Sequence, residues 1–280
     1  MSFQNSNNDS SSLHNESIIT QFTKQAIPFT QLSEHSNQYG LELIVKLAKP
    51  QKGDTVLDVA CGPGIVACEL AKFVSHITGI DITPAMIEQA KQMQKERKLN
   101  NLTWKIGDIL TLPFDDSSFS LVITRFSFHH LLEPQKVLNE MIRVCKPDGR
   151  IVIIDVTPEY DKIDEYNKVE KLRDPSHVKA FTFKSLRSLM EESGLVNLES
   201  KCQNLEMELD KLLEASFTNN DENKKRIYAL FKKDVKEDNL GMKSFFKENN
   251  DSNKICFYFP ISMLLGYKNN FYYKINNIKI

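Results

Sequence analysis

A short glycine-containing turn after an apolar strand is the first place in this sequence where chemistry is indicated. Residues 56–64 (VLDVACGPG) carry the strand to Asp58 and continue through Gly62 and Gly64. Glycines allow a sharp turn and let the backbone approach a ligand closely. Asp81 ends the next apolar run, where a carboxylate can accept hydrogen bonds from both hydroxyls of a ribose. The pattern therefore predicts a nucleotide-binding site.

The glycine spacing by itself leaves the kind of nucleotide open. The run Gly62-x-Gly64-x-x-Ala67 matches the dinucleotide pattern, and an acidic residue follows about 20 positions later. Taken alone, this turn also fits a nicotinamide cofactor, which would make the protein an oxidoreductase. A structural turn that binds no ligand is the less favoured alternative.

Histidines are the remaining candidates for proton chemistry. His129 and His130 follow the fourth apolar strand, and imidazole can accept a proton near neutral pH. His177 lies in the segment RDPSH, and His35 and Tyr39 lie in an amino-terminal helical pattern. Each of these residues also has an ordinary structural interpretation, in helix capping or packing. The sequence shows no cluster with the spacing of metal ligands.

The elements that would position these residues alternate along the chain. Five apolar runs have the length and composition of buried strands: 55–60, 76–81, 102–107, 119–124 and 150–156. Helical patterns lie between them, which predicts an α/β fold with a doubly wound parallel sheet covered on both faces. Ligands of such sheets bind at the carboxyl ends of the strands.

The flanking regions have a different character. Residues 1–17 are rich in serine and asparagine and are predicted to form a disordered tail. The predicted single domain covers residues 18–268, with a helical segment at 18–50 and a charged helical insertion at 207–250. Residues 269–280 are expected to form a carboxyl-terminal extension.

Composition excludes several classes of protein. The 280 residues are 41% hydrophobic with a net charge of −1, so a strongly basic nucleic-acid surface is not indicated. No apolar run approaches the ~20 residues that span a bilayer, and the polar amino terminus has no secretory signal pattern. The five cysteines are scattered, which argues against a disulfide framework and favours the reducing cytoplasm.

Several motifs in a fixed order decide between the two cofactors. The runs VLDVACGPG, GIDITPAMIEQA, GDILTLPFDDSSFSLVITRFSFHHL and EMIRVCKPDGRIVIIDV resemble class I S-adenosylmethionine-dependent methyltransferases. The chain is most similar to the UbiE-like group of ubiquinone and menaquinone biosynthesis, strongly over 50–157 and more weakly over 158–268. The resemblance implies a Rossmann-like seven-stranded sheet whose last strand, at about 255–267, is antiparallel.

The same resemblance implies S-adenosylmethionine as the cofactor. The residues that it places around the cofactor are Asp58, Ala60, Gly62, Gly64, Asp81, Ile82, Asp108, Ile109, Arg125 and Phe126. Asp81 would hold the ribose hydroxyls and Asp108 the adenine amino group. Ala60 stands where this family often has glycine.

The resemblance also implies a small-molecule acceptor, with a quinone or another secondary metabolite as candidates. His129 and His130 are then the candidates for taking up the acceptor's proton, with His129 preferred. His35, Tyr39 and His177 are candidates for acceptor contact, and the helical segment at 18–50 would act as a lid. The alternatives are an NAD(P)-dependent oxidoreductase and a non-catalytic binding module with the methyltransferase fold.

Overall fold

The computed structural model describes residues 5–31, 38–216, 220–249 and 252–269. Its helices are α1 (Asn5–Gln31), α2 (Gln38–Ala48), α3 (Ile65–Leu70), α4 (Pro84–Glu96), α5 (Pro134–Val144), α6 (Ile163–Arg173), α7 (Phe183–Glu192), α8 (Leu209–Ala215) and α9 (Asp221–Glu237). Its strands are β1 (Thr55–Val59), β2 (His76–Asp81), β3 (Leu102–Ile106), β4 (Phe119–Arg125), β5 (Cys145–Val156), β6 (Leu195–Glu208), β7 (Phe245–Asn249) and β8 (Ser252–Lys268).

The described strands form one sheet, in which seven follow the order β3-β2-β1-β4-β5-β8-β6 and β7 pairs with β8. β1 is parallel to its neighbours β2 and β4, whereas β8 runs antiparallel to β5 and β6. The predicted doubly wound sheet with an antiparallel last strand is therefore confirmed. Because the parallel strands end at one edge, Asp58, Asp81, Arg125 and Asp155 lie at that edge.

Alternation along each central strand sends neighbouring side chains to opposite faces of the sheet. Val56 and Leu121 belong to the cluster that packs against α2 and α3, whereas Leu57 and Val122 belong to the cluster that packs against α5 and α7. All four are at most 1% exposed. Burial of each such side chain contributes about 1.5–3 kcal/mol, so both faces hold the strand ends in fixed positions.

The insertion at 207–250 is helical, as predicted, over α8 and α9, and it also contains strand β7. Phe245 of β7 stacks on Tyr258 of β8, with ring centroids 5.5 Å apart. Aromatic side chains favour strands, but the surrounding charged residues follow a helical pattern. For that reason periodicity does not predict strand β7.

The amino-terminal segment is helical in the structure, where the sequence predicts a disordered tail at 1–17. α1 begins at Asn5, and side chains of His14 and Asn15 form hydrogen bonds to residues at the strand-end edge of the sheet. Polar composition therefore does not mean solvation here, because these polar groups have partners in the fold. This corrects the tail prediction from Asn5 onward.

The predicted helical segment at 18–50 is divided between α1 and α2. His35 lies outside the described residues. Tyr39, on α2, is 65% exposed, and it does not line either of the two cavities described below. The predicted extension at 269–280 lies, apart from its first residue, outside the described part of the chain. Among the described helices, none combines the length and the apolar character needed to cross a membrane.

Candidate active site

A cavity opens at the carboxyl ends of the parallel strands, between the sheet and α1; it is called the strand-end cavity below. Its empty volume, mouth included, is about 1160 Å³. Of the residues that the sequence predicts to bind a cofactor, all but Gly64 line it: Asp58, Ala60, Gly62, Asp81, Ile82, Asp108, Ile109, Arg125 and Phe126. The order of the strands thus brings four separate sequence motifs to one space.

Asp58, near the end of β1, carries an unmet hydrogen-bonding capacity. The residue is 2% exposed, and its Oδ2 atom has no hydrogen-bond partner among the described residues. Burial raises the pKa of Asp58 to about 7, and a hydrogen bond from the backbone of Ala67 and the charge of Arg125 oppose this rise. A buried acceptor without a donor is unfavourable. A ligand that brings a cation or an N–H group would therefore be stabilised there.

Asp81 organises the loops after β1 and β2. Its Oδ2 accepts a hydrogen bond from the backbone N–H of Gly62 over 2.9 Å, and its Oδ1 accepts one from Thr83 over 2.8 Å. Burial raises the pKa of Asp81 in spite of these bonds. Each carboxylate oxygen has a second lone pair, so Asp81 can still accept hydrogen bonds from ligand hydroxyls. Gly62 has a φ of 52°, which favours glycine.

Two residues of α1, His14 and Asn15, form the roof of the strand-end cavity, and the sequence analysis does not single them out. His14 Nε2 lies 2.7 Å from the carbonyl oxygen of His130. The amide nitrogen of Asn15 donates to Oδ2 of Asp108 over 2.8 Å. Polar residues in a serine-rich helix give no signal of such a role. The Asn15 amide shows that Asp108 accepts from an N–H donor at this position.

Two lining residues other than glycine adopt left-handed backbone conformations. The φ angles are 54° at Ala60 and 56° at Phe126, and this conformation costs roughly 1–2 kcal/mol for a residue with a side chain. The geometry explains why glycine is common at position 60 in the family that the sequence resembles. The guanidinium of Arg125 lies 4.4 Å from the ring centroid of Phe126, and burial lowers the pKa of Arg125 to about 10.

Gly64 is the one predicted cofactor residue that the structure places outside the strand-end cavity. It has a φ of 79°, and a Cβ atom there would lie 2.6 Å from Trp104 and 3.0 Å from Ala90. The absence of a side chain at Gly64 therefore permits close packing between the start of α3, β3 and α4. The geometry favours a packing role for Gly64 over ligand contact.

His129 and Asp155 form a buried hydrogen-bonded pair. The Nδ1 atom of His129 lies 2.5 Å from Oδ1 of Asp155, and the backbone N–H of His129 donates to Oδ2 over 3.2 Å. Burial lowers the pKa of His129, but the charge and hydrogen bond of Asp155 outweigh it, so the pKa is raised. Since Asp155 fixes the proton on Nδ1, Nε2 is the ring nitrogen left to take up another proton.

His130 and His177 differ from His129 in their surroundings. The Nδ1 atom of His130 lies 3.1 Å from the carbonyl oxygen of Ser176, and burial together with His129 lowers the pKa of His130. His177 packs behind His129, with ring centroids 5.5 Å apart, and its Nε2 lies 2.8 Å from Oδ1 of Asn167. Burial lowers the pKa of His177 to about 3. Both rings are therefore neutral near pH 7.

The charges around the strand-end cavity favour a cationic ligand. Among the described lining residues there are four carboxylates, Asp58, Asp81, Asp108 and Glu133, and one arginine, Arg125. The pyrophosphate of a dinucleotide would be repelled by this set, whereas a sulfonium or ammonium group would be attracted. The unpartnered oxygen of Asp58 leads to the same result. The residues present thus fit S-adenosylmethionine and do not fit a nicotinamide dinucleotide.

The strand order, the antiparallel last strand and the acidic residues at the strand ends define a class I methyltransferase fold. A family model described as a methyltransferase domain matches residues 50–234. The chain belongs to this methyltransferase family. This finding favours the predicted methyltransferase over the alternative of a nicotinamide-dependent oxidoreductase.

The relatives agree with this assignment. The uncharacterized methyltransferase YcgJ of Bacillus subtilis is 30% identical over 213 residues, which cover 75% of this chain and 84% of YcgJ. The crystal structure of YcgJ has a TM-score of 0.75 at 26% identity, covering 84% of this chain and 100% of the other. A putative methyltransferase of Bacillus halodurans C-125 has a TM-score of 0.72 at 25% identity, covering 82% and 99%.

A demethylmenaquinone methyltransferase of Listeria welshimeri is 35% identical over 116 residues. The match covers 40% of this chain and 49% of that relative, so this chain spans about half the length of the quinone-modifying protein. The resemblance to the UbiE-like group is thereby confirmed over 116 residues.

Proposed function

We propose that this protein binds S-adenosylmethionine in the strand-end cavity and transfers its methyl group to a small molecule. The observation that carries the proposal is the buried, unpartnered Oδ2 atom of Asp58 in a cavity lined by acidic residues. Membership of the methyltransferase family supports the same chemistry. The acceptor is proposed to be a quinone or another secondary metabolite, since a relative is named for demethylmenaquinone.

Bound S-adenosylmethionine would supply a methyl group activated by the adjacent sulfonium. Asp58 would provide the opposing negative charge, Asp81 would accept hydrogen bonds from the ribose hydroxyls, and Asp108 would accept one from the adenine amino group. Ala60, Gly62, Ile82, Ile109, Arg125 and Phe126 would complete the walls. Orientation of the reacting groups in such a site can supply roughly 7–11 kcal/mol.

His129 is proposed as the group that takes up the acceptor's proton, through Nε2. Asp155 positions the ring and stabilises its protonated form. A general base of this kind contributes about 10²–10⁴-fold to the rate. His130, whose ring is neutral and bonded to Ser176, is assigned to the wall of the cavity and not to proton transfer.

Calorimetric titration tests this function. The protein is titrated with S-adenosylmethionine, S-adenosylhomocysteine and NADH, alongside Asp81→Ala and the matched control Asp115→Asn, an exposed carboxylate. We expect both adenosyl compounds to bind, NADH not to bind, and Asp81→Ala to lose most of the affinity while Asp115→Asn keeps it. The proposal fails if neither adenosyl compound binds. Binding without methylated product from any acceptor would favour the non-catalytic module.

A further inference from the structure

A second cavity, called the inner cavity, lies beside the strand-end cavity. Phe22, Phe126 and His130 line both cavities, so the two spaces adjoin at these side chains. The inner cavity has an empty volume of about 640 Å³, mouth included. His129 lines the inner cavity and not the strand-end cavity. The candidate base thus faces a separate space next to the cofactor site.

Much of the wall of the inner cavity is hydrocarbon. The sheet contributes Val156 from β5, Leu205 from β6 and Phe259 from β8, and helix α8 contributes Leu212. These four side chains are at most 7% exposed. An apolar wall of this size favours a ligand with a large apolar body, because its burial removes that surface from water as well.

The charged groups of the inner cavity are already paired within the protein. Nη2 of Arg173 lies 2.5 Å from Oε2 of Glu170, and Nη1 of Arg173 donates to Oγ of Ser216 over 2.8 Å. Asp174 accepts hydrogen bonds from the backbone N–H and the hydroxyl of Ser176. The Glu170–Arg173 pair is electrically neutral overall. An anionic ligand would therefore lose its hydration without gaining an unpaired cation.

The base itself is the remaining polar feature. Titratable groups that act on His129 come from β5, α6 and the adjoining loops: Asp155, Glu170, Arg173, His130 and His177. The two other histidines are neutral, and Glu170 and Arg173 offset each other, so Asp155 dominates. His129 can therefore accept a proton and be stabilised as a cation next to the apolar wall.

We propose that the inner cavity is the acceptor site and that it takes a neutral, largely apolar molecule with a hydroxyl group, such as a phenol. This proposal rests on the proposed function of the strand-end cavity. Carboxylates and phosphates are excluded by the paired arginine.

The proposed transfer is balanced in atoms and electrons. The bond between the methyl carbon and sulfur breaks, and its electron pair stays on sulfur as a neutral thioether. A bond forms between the methyl carbon and the acceptor oxygen, and the hydroxyl proton passes to Nε2 of His129. The products are an ether and a protonated imidazole, which returns its proton to water.

Binding to the protein saturated with S-adenosylhomocysteine tests the acceptor class without requiring turnover. The probes are 2-naphthol and 2-naphthoate, which has the same ring system with a carboxylate in place of the hydroxyl group. Calorimetry measures the binding of each. Two variants fill the inner cavity, Leu212→Trp and Ala215→Leu, and Phe73→Trp, at an exposed position, is the control. We expect 2-naphthol to bind at least tenfold tighter than 2-naphthoate, and both filled variants to lose at least tenfold while Phe73→Trp does not.

The outcomes separate the two proposals. If the native protein does not bind S-adenosylhomocysteine, the proposed function is contradicted. If the variants bind it as the native protein does, they are folded. If S-adenosylhomocysteine binds but 2-naphthoate is preferred, or if neither filled variant weakens 2-naphthol, the acceptor assignment is overturned. With S-adenosylmethionine, 2-naphthol bound without formation of 2-methoxynaphthalene would overturn the hydroxyl as the accepting group.

Asp155 is a positioning residue in this scheme, and its test reads out the imidazole directly. In Asp155→Asn, the pKa of His129 followed by NMR is expected to fall, because the carboxylate that raises it is gone. The acid limb of the methyl-transfer pH profile should move to lower pH with a reduced kcat and little change in KM. An unchanged pKa of His129 in this variant would show that Asp155 does not control the basicity of the imidazole.

Discussion

The two adjoining cavities differ in how their charges are satisfied. In the strand-end cavity the carboxylates outnumber the arginine, and Oδ2 of Asp58 is buried without a donor. In the inner cavity Glu170 and Arg173 form an ion pair, Asp174 accepts hydrogen bonds from Ser176, and much of the remaining wall is apolar. The first space thus selects its ligand by charge. The second space is proposed to select its ligand by shape and by a hydroxyl group whose proton His129 accepts.

The largest effect is expected from removal of the base. His129→Ala should lower kcat by about 10²–10⁴-fold, because the acceptor hydroxyl then loses its proton to water. The affinity for S-adenosylmethionine should stay within about twofold, since His129 does not line the strand-end cavity. His76→Ala, at a hydrogen-bonded surface position, is the matched control. A loss of less than tenfold in steady-state assays would remove His129 from the chemistry.

Next in size is the effect of the Asp58 carboxylate on cofactor affinity. With a pKa of about 7, Asp58 is ionised at pH 8 and loses its charge as the pH falls below 7. The dissociation constant of S-adenosylmethionine should therefore rise by up to about tenfold per pH unit below 7. Asp58→Asn should bind weakly at every pH, with this dependence absent. A native protein whose affinity is constant from pH 5.5 to 8 would contradict the charge-selection account.

The same residue should reduce stability when the cavity is empty. The pKa of Asp58 in the folded protein, about 7, exceeds the ordinary aspartate pKa of 3.8, so its stabilising contribution is present below pH 3.8 and lost as the pH rises through 7. Asp58→Asn should therefore increase the free energy of unfolding at pH 8 by on the order of 2–4 kcal/mol. Urea denaturation at pH 8 and pH 5.5 measures this gain, which should shrink at the lower pH.

A smaller effect is expected when the charge balance of the inner cavity is changed in favour of positive charge. Glu170→Gln removes the carboxylate that forms the ion pair with Arg173, so 2-naphthoate should bind the S-adenosylhomocysteine complex of this variant about tenfold tighter than it binds the native complex. Glu165→Gln, on the exposed side of the same helix, should change nothing. If 2-naphthoate gains no affinity in Glu170→Gln by calorimetry, pairing of Arg173 is not what excludes anions.

The smallest effect concerns backbone strain at the strand-end cavity. Ala60→Gly relieves a left-handed conformation with a φ of 54°, and the gain is partly offset by the greater freedom of glycine in the unfolded chain. The free energy of unfolding should rise by up to about 1 kcal/mol, with cofactor affinity nearly unchanged. A decrease in stability would show that the Ala60 side chain makes contacts that outweigh the strain.

The sequence predicts the strand-end cavity well because its determinants are local. Asp58, Asp81 and Asp108 each follow an apolar run, and parallel strands bring such positions to one edge. Gly64 has the right spacing for ligand contact, but it does not line the strand-end cavity, and a Cβ atom there would lie 2.6 Å from Trp104. Spacing alone does not distinguish a glycine that approaches a ligand from one that approaches a neighbouring ring.

The inner cavity could not be predicted from the sequence. Its wall combines Phe22 of α1, Arg173 of α6, Leu205 of β6 and Phe259 of β8, which meet only after the sheet is assembled. Asp155 lies in an apolar strand, where nothing marks it as the partner of a histidine 26 positions earlier. Long-range packing, and not any local motif, creates the inner cavity.

The most direct test of the central claim is a crystal structure of the protein with S-adenosylhomocysteine. The account predicts the ligand in the strand-end cavity, with a hydrogen-bond donor at Oδ2 of Asp58, the ribose hydroxyls on Asp81 and the adenine amino group on Asp108 in place of the Asn15 amide. The inner cavity should stay open beside it, facing His129. A ligand bound elsewhere, or one that leaves Oδ2 of Asp58 without a donor, would contradict the account.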